Sequence, residues 1–361
     1  MLLKINDRIK NRQVEFFNNF SLNLKYDSVG SAFGFSFYFE PENKEHKELM
    51  CIGHYHTCTV EHNNELLLSG IILSQAFQSS TVRKMVSLGG YSLPGVLEDS
   101  TIPVSTYPLQ HDGLSLKQIA EKLIRPFGLT MKIDNSVASK MNAVFDISTA
   151  KETQTVKSYL TELATQKNII ISHNEKGELL FTSANTNQTT PLLEFDFSAG
   201  TIPGTEMDLN FNGQAMHSHI TVQKQANVDA DSGDAGNAAE ATVRNPYVIN
   251  SVFRPLVVSQ SSGKDTDTEQ AAKNIRAAEL KNLKLVIKTD RWEVNGKIIK
   301  PNNYLTVINP EVYLYKKTTW FIEEIAFSGD EKQTTAVLTC CLPSVYNGEE
   351  PKYLFAGINL H

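Results

Sequence analysis

Phenylalanine recurs at every second position from Phe33 to Phe39, with Gly34, Ser36 and Tyr38 between. That two-residue period fits an extended strand with one face in a core and the other outside. On a helix the same rings would scatter around the axis. Val14, Phe16, Phe20, Leu22 and Leu24 share one parity ahead of the turn-like Asp27-Ser28-Val29-Gly30, so two long half-buried strands are expected to flank that turn. A further strand pair is expected from Leu49 to Val60 and from Leu66 to Leu73. Its joint is Asn63-Asn64, residues that tolerate the left-handed backbone of tight hairpins. The glycines Gly89, Gly90 and Gly95 lack the spacing of a phosphate loop and lead into no helix, so they read as a bend in the chain. Residues 1–103 therefore read as a first small β-barrel or sandwich.

The period changes between residues 104 and 190. Ser115 and Gln118 form a capping box before an apolar stripe of Leu116, Ile119, Ala120, Leu123 and Ile124, which stops ahead of Pro126 and Gly128. A second stripe of Val156, Tyr159, Leu160, Leu163 and Ala164 starts near Thr153 and gives way to Asn168-Ile169-Ile170-Ile171. The two stretches read as one helix-strand unit used twice, forming a small α/β insert. Asn174-Glu175-Lys176-Gly177 then turns the chain into Leu179-Leu180-Phe181.

Strand alternation returns in residues 191–345, with strands expected at Leu283–Ile287, Leu305–Ile308, Trp320–Phe327 and Ala336–Leu342. The stretch 227–241 carries Asp229, Asp231, Asp234 and Glu240 among Ala, Gly and Ser, the composition of a solvated loop. Thr266 and Glu269 predict a capped helix over 267–281. Residues 346–361 read as a C-terminal tail that needs a partner to be ordered. The fold class expected is α+β and mainly β.

The chemistry excluded is as informative. Forty acidic against thirty-four basic side chains leave a net charge of −6, which provides no positive field to gather phosphates. Four cysteines, two of them adjacent, form no disulfide framework over 361 residues. No apolar run approaches the roughly 18 residues a membrane span needs. Two His-x-His pairs, His54/His56 and His217/His219, lie in strand-like sequence, where residues i and i+2 share a face and two imidazoles could reach one metal ion. Cys58 and His62 continue the parity of the first pair. The same pattern arises from imidazoles on a wet strand face, and no His-Glu-x-x-His helix accompanies it. The adjacent acids Glu98/Asp99 and Glu323/Glu324 point to opposite strand faces and read as surface residues. No Gly-x-Ser-x-Gly elbow is present, and Cys340 and Cys341 have no neighbouring histidine. No catalytic, cofactor-binding or metal-binding residue and no cofactor is therefore assigned. A metal-dependent enzyme built on the His-x-His pairs and a carbohydrate-binding tail adhesin remain the alternatives, the second with only Trp292 and Trp320 as large stacking platforms.

The order of these parts resembles the baseplate hub proteins of contractile phage tails, of the phage Mu type in the late control protein D superfamily. The resemblance is carried by Val86-Ser87-Leu88-Gly89-Gly90-Tyr91-Ser92 with Val96-Leu97-Glu98-Asp99-Ser100, and by Glu152-Thr153 through Gly177-Glu178-Leu179-Leu180-Phe181-Thr182. It continues through Arg254-Pro255-Leu256-Val257-Val258, Trp292, Lys300-Pro301-Asn302, Ile322 to Phe327, and Leu338 to Leu342-Pro343. It departs in the acidic stretch and at Asn168, where a glycine is expected. The resemblance implies two similar tube-type β-barrels, at 1–103 and 191–345, parted by the 104–190 insert. It further implies a homotrimeric ring that adapts a sixfold tail tube to a threefold central spike and leaves a channel for tape-measure protein and DNA. The implied partners are the spike, the tail tube or its initiator, and other baseplate proteins. The implied location is the virion tail baseplate, after synthesis in the host bacterial cytoplasm. A net-acidic chain suits such a channel, since a basic lining would trap passing phosphates.

Overall fold

The computed structural model describes residues 1–7, 12–16, 19–81, 84–184, 190–224, 240–248, 252–260, 268–330 and 333–356. The N-terminal module contains β1 (Leu2–Asp7), β2 (Arg12–Phe16), β3 (Asn19–Lys25), β4 (Ala32–Tyr38), helix α1 (Lys44–Leu49), β5 (Thr57–His62), β6 (Glu65–Ser79) and β7 (Lys84–Ser92). The phenylalanine period behaves as expected: Phe33, Phe35 and Phe37 enter the core from β4, opposite Phe20, Leu22 and Leu24 of β3. Asn63 and Asn64 close the β5–β6 hairpin with φ of 49° and 63°, the conformation that type I′ turns require. The strand expected from Leu49 begins only at Thr57. Asn43 instead accepts hydrogen bonds from the backbone N–H groups of Glu45 and His46 and starts α1.

The insert follows as α2 (Val96–Asp99), α3 (Leu116–Ile124), β8 (Met131–Ile133), α4 (Ala138–Asn142), α5 (Val156–Gln166), β9 (Ile170–His173) and β10 (Leu179–Thr182). Ser115 and Gln118 cap α3 reciprocally, and all five residues of its apolar stripe are buried. Thr155 caps α5 through the Ser158 N–H. After it Asn168 takes φ 52°, as Gly128 takes 66° after α3. Asparagine thus fills the left-handed position where a glycine was expected. Both helices pack in one core with Tyr159, Phe145 and Phe181.

The C-terminal half runs β11 (Leu193–Asp196), β12 (Thr205–Phe211), β13 (His219–Lys224), β14 (Glu240–Arg244), β15 (Pro255–Gln260), α6 (Thr268–Leu280), β16 (Leu283–Thr289), β17 (Glu293–Val294), β18 (Lys297–Ile298), β19 (Asn303–Asn309), β20 (Leu314–Gly329) and β21 (Thr334–Cys341). Residues 227–239 of the acidic stretch lie outside the described residues, as does Thr266. Glu240 and Ala241, expected in a loop, begin β14 instead, because Gln223 and Val222 of β13 pair with them. Strands β13, β14 and β15 form a separate three-stranded sheet that α6 covers with Ala272 against Ile220, Val222 and Val243.

The sheet order exposes an internal repeat. The first module orders five strands β3-β4-β7-β6-β5, and the second orders β12-β16-β21-β20-β19, with every neighbour antiparallel in both. In each, one long strand changes partner along its length. β6 pairs first with β5 and then with β7, and β20 pairs first with β19 and then with β21. Both kink by a bulge at the change, between Ile72 and Ser74 and between Ile322 and Glu324, positions 250 residues apart. Each third strand then leads to a one-turn 3₁₀ helix in the same Leu-Pro-x-Val context, Leu93-Pro94-Gly95-Val96 and Leu342-Pro343-Ser344-Val345.

Gly89 and Gly90 do not bend the chain. They lie inside β7 opposite the β6 bulge, where a Cβ on Gly90 would sit 2.0 Å from the Ile71 carbonyl oxygen. The two modules are not separate bodies. Residues 324–329 of β20 pair antiparallel with residues 20–25 of β3, fusing both modules into one sheet over a shared core.

Candidate functional site

The modules and the insert meet around a cavity of about 360 Å³, lined by the 27–28 turn, α5, the 168–171 segment, α6 and Tyr346. Lys281, just past α6, reaches Asp27 Oδ2 at 2.7 Å and Glu323 Oε1 at 3.0 Å. The Tyr346 hydroxyl donates to Glu323 Oε1 at 2.6 Å, and the Lys281 ammonium sits 4.8 Å from the Tyr346 ring centroid. Tyr346 also packs edge-on to Tyr26 and against Phe321. Burial alone would depress the Lys281 pKa, but Asp27 and Glu323 outweigh it and hold the ammonium above its ordinary value. Burial likewise works to raise the Glu323 carboxyl, yet Lys281 and the Tyr346 hydroxyl bring it below the usual carboxylate range. The Tyr346 phenol is raised by burial and by both acids. The cluster can fasten, since its charges are mutually satisfied.

Glu323 was expected at the surface, but it is the centre of this junction. Its neighbour Glu324 does point the other way, to Asn23 at 2.6 Å and Lys25 at 3.7 Å. Glu98 pairs with Lys157 of α5 at 2.6 Å. The sequence hides the junction because its members lie in four remote segments, and no local pattern links Asp27 to Lys281 or Tyr346.

The C-terminal segment is ordered by the chain itself through residue 356. Arg276, with 5% of its side chain exposed, binds Glu350 through two nitrogens, at 2.5 and 2.7 Å. Tyr247 donates to the Lys352 carbonyl at 2.9 Å and packs against Tyr353 and Phe355. Residues 346–356 thus lie against α6 and Tyr247 of the same chain.

The histidine pairs do not converge. His54 and His56 precede β5 in a loop where Tyr55 takes φ 47°, and their rings lie 5.4 Å apart, edge to face. Cys58 turns into the core, its thiol pushed up to about 12 by burial. His62 bonds Glu293 and leans on Trp292. His217 Nδ1–H donates to Glu279 Oε1 at 2.6 Å while its backbone N–H donates to Oε2 at 2.9 Å. His219 faces Ser218 and Phe253. No group of three or more His, Cys, Asp or Glu is placed to hold a metal ion among the described residues. Cys340 and Cys341 are both buried, their thiols raised by desolvation. Trp320 is fully buried and donates to Thr318, which removes it as a stacking platform, and half-buried Trp292 already stacks one face on Phe20.

Residues 95–183, which span the insert, match the family model described as the second domain of gp44-like baseplate hub proteins. Over 274 residues the chain is 23% identical to the baseplate hub protein gp44 of Escherichia phage Mu, covering 74% of this chain and 69% of that one. The 43 kDa tail protein of prophage MuSo2 from Shewanella oneidensis shares the fold with a TM-score of 0.74 at 18% identity, over 96% of this chain and 99% of its own. A tail protein from Neisseria meningitidis MC58 gives 0.72 at 18%, over 95% and 97%. The resemblance drawn from the sequence is thereby borne out, and the mainly β architecture is that of phage tail proteins.

Proposed function

We propose that this relative of the Mu-type baseplate hub proteins is the structural hub of a contractile phage tail. In this reading three copies form a ring of six β-modules, and 1–103, 104–190 and 191–345 act as first module, insert and second module. The ring adapts a sixfold tube above to a threefold spike below and leaves a channel for tape-measure protein and DNA. Its place is the virion baseplate, and its partners are the spike, the tube or its initiator and neighbouring baseplate proteins. The observation that carries the reading is the duplicated five-strand order with its matching bulges. A duplicated module lets three identical chains offer six near-equivalent surfaces, which resolves the mismatch of symmetries.

The role is mechanical rather than catalytic. Forces on a hub must pass between modules without a hinge, and the β3–β20 ladder with the Lys281 cluster supplies a joint fastened twice, by backbone hydrogen bonds and by ion pairs. Mass photometry of the full chain, alone and with its spike, should give a trimer in at least one of the two conditions. A stable dimer under every condition contradicts the proposal. Elemental analysis should find no stoichiometric zinc, iron or manganese, and a stoichiometric metal would favour the enzyme reading instead.

A further inference from the structure

Within the chain, residues 324–329 of β20 pair with residues 25–20 of β3, bringing Phe327 opposite Leu22 and Ala326 opposite Asn23. The repeat assigns each side a counterpart. Matching partners on β7 and β21 place Ser74–Ser79 of β6 where β20 has Glu324–Gly329, so Ala76-Phe77 stand for Ala326-Phe327. Matching partners on β4 and β16 place β12 where the first module has β3, so Leu209 stands for Leu22 and Asn210 for Asn23.

Among the described residues both counterparts lack what their equivalents have. Residues 74–79 of β6 pair only with β7, and β12 pairs only with β16. Phe327 is 1% exposed, whereas Phe77 is 42% exposed; Leu73 at 40% and Phe211 at 49% lie on the same two edges. Edge strands are ordinarily guarded by charge or proline. Residues 73–79, Leu-Ser-Gln-Ala-Phe-Gln-Ser, carry neither. The acids Glu206 and Asp208 of β12 would face no like charge there.

We infer that the free edge of β6 at residues 74–79 pairs antiparallel with β12 of a second copy of this chain, in the register that sets Phe77 opposite Leu209 and Ala76 opposite Asn210. The contact is heterologous, joining first module to second module, so repetition carries the sheet from chain to chain. The inference rests on the trimeric ring proposed above for its closure after three copies, while the register follows from the repeat alone. Facing residues of an antiparallel pair have Cβ atoms about 4.5–5.5 Å apart, within or near the reach of a disulfide.

The test uses the full chain with Cys51, the exposed thiol, replaced by serine. Ala76→Cys is combined with Asn210→Cys in one variant and with Asp208→Cys, two residues out of register, in another. Mild oxidation of the first should yield covalent dimers and trimers and nothing larger, with at least about tenfold less product from the second. A parallel variant, Phe77→Asp, should weaken self-association by about a hundredfold or more while leaving the circular dichroism unchanged. Trimers that form normally without the in-register cross-link, or that cross-link equally out of register, overturn the inference but leave the ring standing. A chain that neither assembles nor cross-links, alone or with its spike, overturns both.

Discussion

Replacing Lys281 by methionine keeps most of the unbranched side chain, one atom shorter, and removes the charge that Asp27 and Glu323 share. At 2.7 and 3.0 Å, each attraction amounts to roughly 5–6 kcal/mol at an effective dielectric constant of about 20. Most of that is offset by the cost of taking the ions out of water. The side chains of Lys281, Asp27 and Glu323 keep 29%, 37% and 16% of their exposure, so solvent screening discounts the Asp27 pair further. A net loss of about 2–3 kcal/mol is expected, between the values for exposed and fully buried pairs. Because modules and insert need not unfold together, the suitable assay is hydrogen exchange across the 27–28 turn, α5 and Tyr346. Protection there should fall roughly 30- to 150-fold, which is the same energy at 1.4 kcal/mol per tenfold, while β16–β21 in the core change little. Glu323→Gln should couple to Lys281→Met by at least about 1 kcal/mol in a double-mutant cycle. The sign in pH follows from the shifts. A depressed Glu323 contributes stability that is complete above its unfolded pKa, near 4.3, and is lost as pH falls through the lower folded value. A raised Lys281 contributes below about 10.4 and is lost as pH rises through its higher folded value. Junction protection should therefore be flat around neutrality. Exchange at the junction that matches wild type in K281M, or zero coupling to E323Q, refutes the fastening role.

Gly90→Ala should destabilise the first module by about 2–4 kcal/mol in chemical denaturation, because the new methyl meets a backbone oxygen that cannot turn aside; a neutral result would mean that the β6 bulge relaxes freely. Asn168→Gly should leave thermal stability unchanged or slightly raised and Asn168→Ala should lower it by about 1 kcal/mol, since only the left-handed backbone at φ 52° distinguishes them. Titration of native protein with a thiol reagent should modify Cys51 promptly and leave Cys58, Cys340 and Cys341 until unfolding, because burial holds those three protonated. Rapid reaction of more than one thiol would place a cysteine outside the core.

What could be read in the chain was whatever is encoded locally. The phenylalanine period of β4, the reciprocal cap of α3, the paired asparagines of the β5–β6 turn and the left-handed Asn168 each depend on a few adjacent residues. Helix α1 was missed because Lys44-Glu45-His46-Lys47-Glu48 offers no apolar stripe; Asn43 as a cap was its only signal. The β13–β15 sheet was missed because the acidic stretch separates its first two strands. The repeat was expected as two similar barrels, but its strand order could not be read, because sequence identity between the halves survives only in fragments such as Ala76-Phe77 with Ala326-Phe327. The Lys281 junction has no sequence signature, since charges in separate segments are brought together only by the completed core.

The two modules differ in a consistent place. Where β3 turns directly to β4, β12 reaches β16 only after the β13–β15 sheet and α6; where the first module leads into the α/β insert, the second ends in the Tyr346–Phe355 segment. Between β4 and β5 lies α1, and between β16 and β19 lie β17 and β18. The inserted helices and the extra sheet therefore fall in connections at strand ends, while the five-strand order and the bulges of the long strands are retained; the outer flanks differ, β5 pairing antiparallel with β1 where β19 pairs parallel with β11. Insertions at strand ends leave the ladder edges open, whereas an insertion beside β6 or β12 would cover one. For the proposed collar this division separates two demands. Edges and bulges that stay alike permit near-sixfold repetition around the ring, and connections that diverge give each chain two unlike ends for a threefold partner. Grafting a bulky loop into the β6–β7 turn at residues 80–81 should accordingly block assembly of the ring, and an equal insertion in the Glu175-Lys176 turn of the α/β insert should leave it intact. Equal tolerance at both sites, measured as the fraction of trimer, would show that the open edge of β6 is not where copies meet.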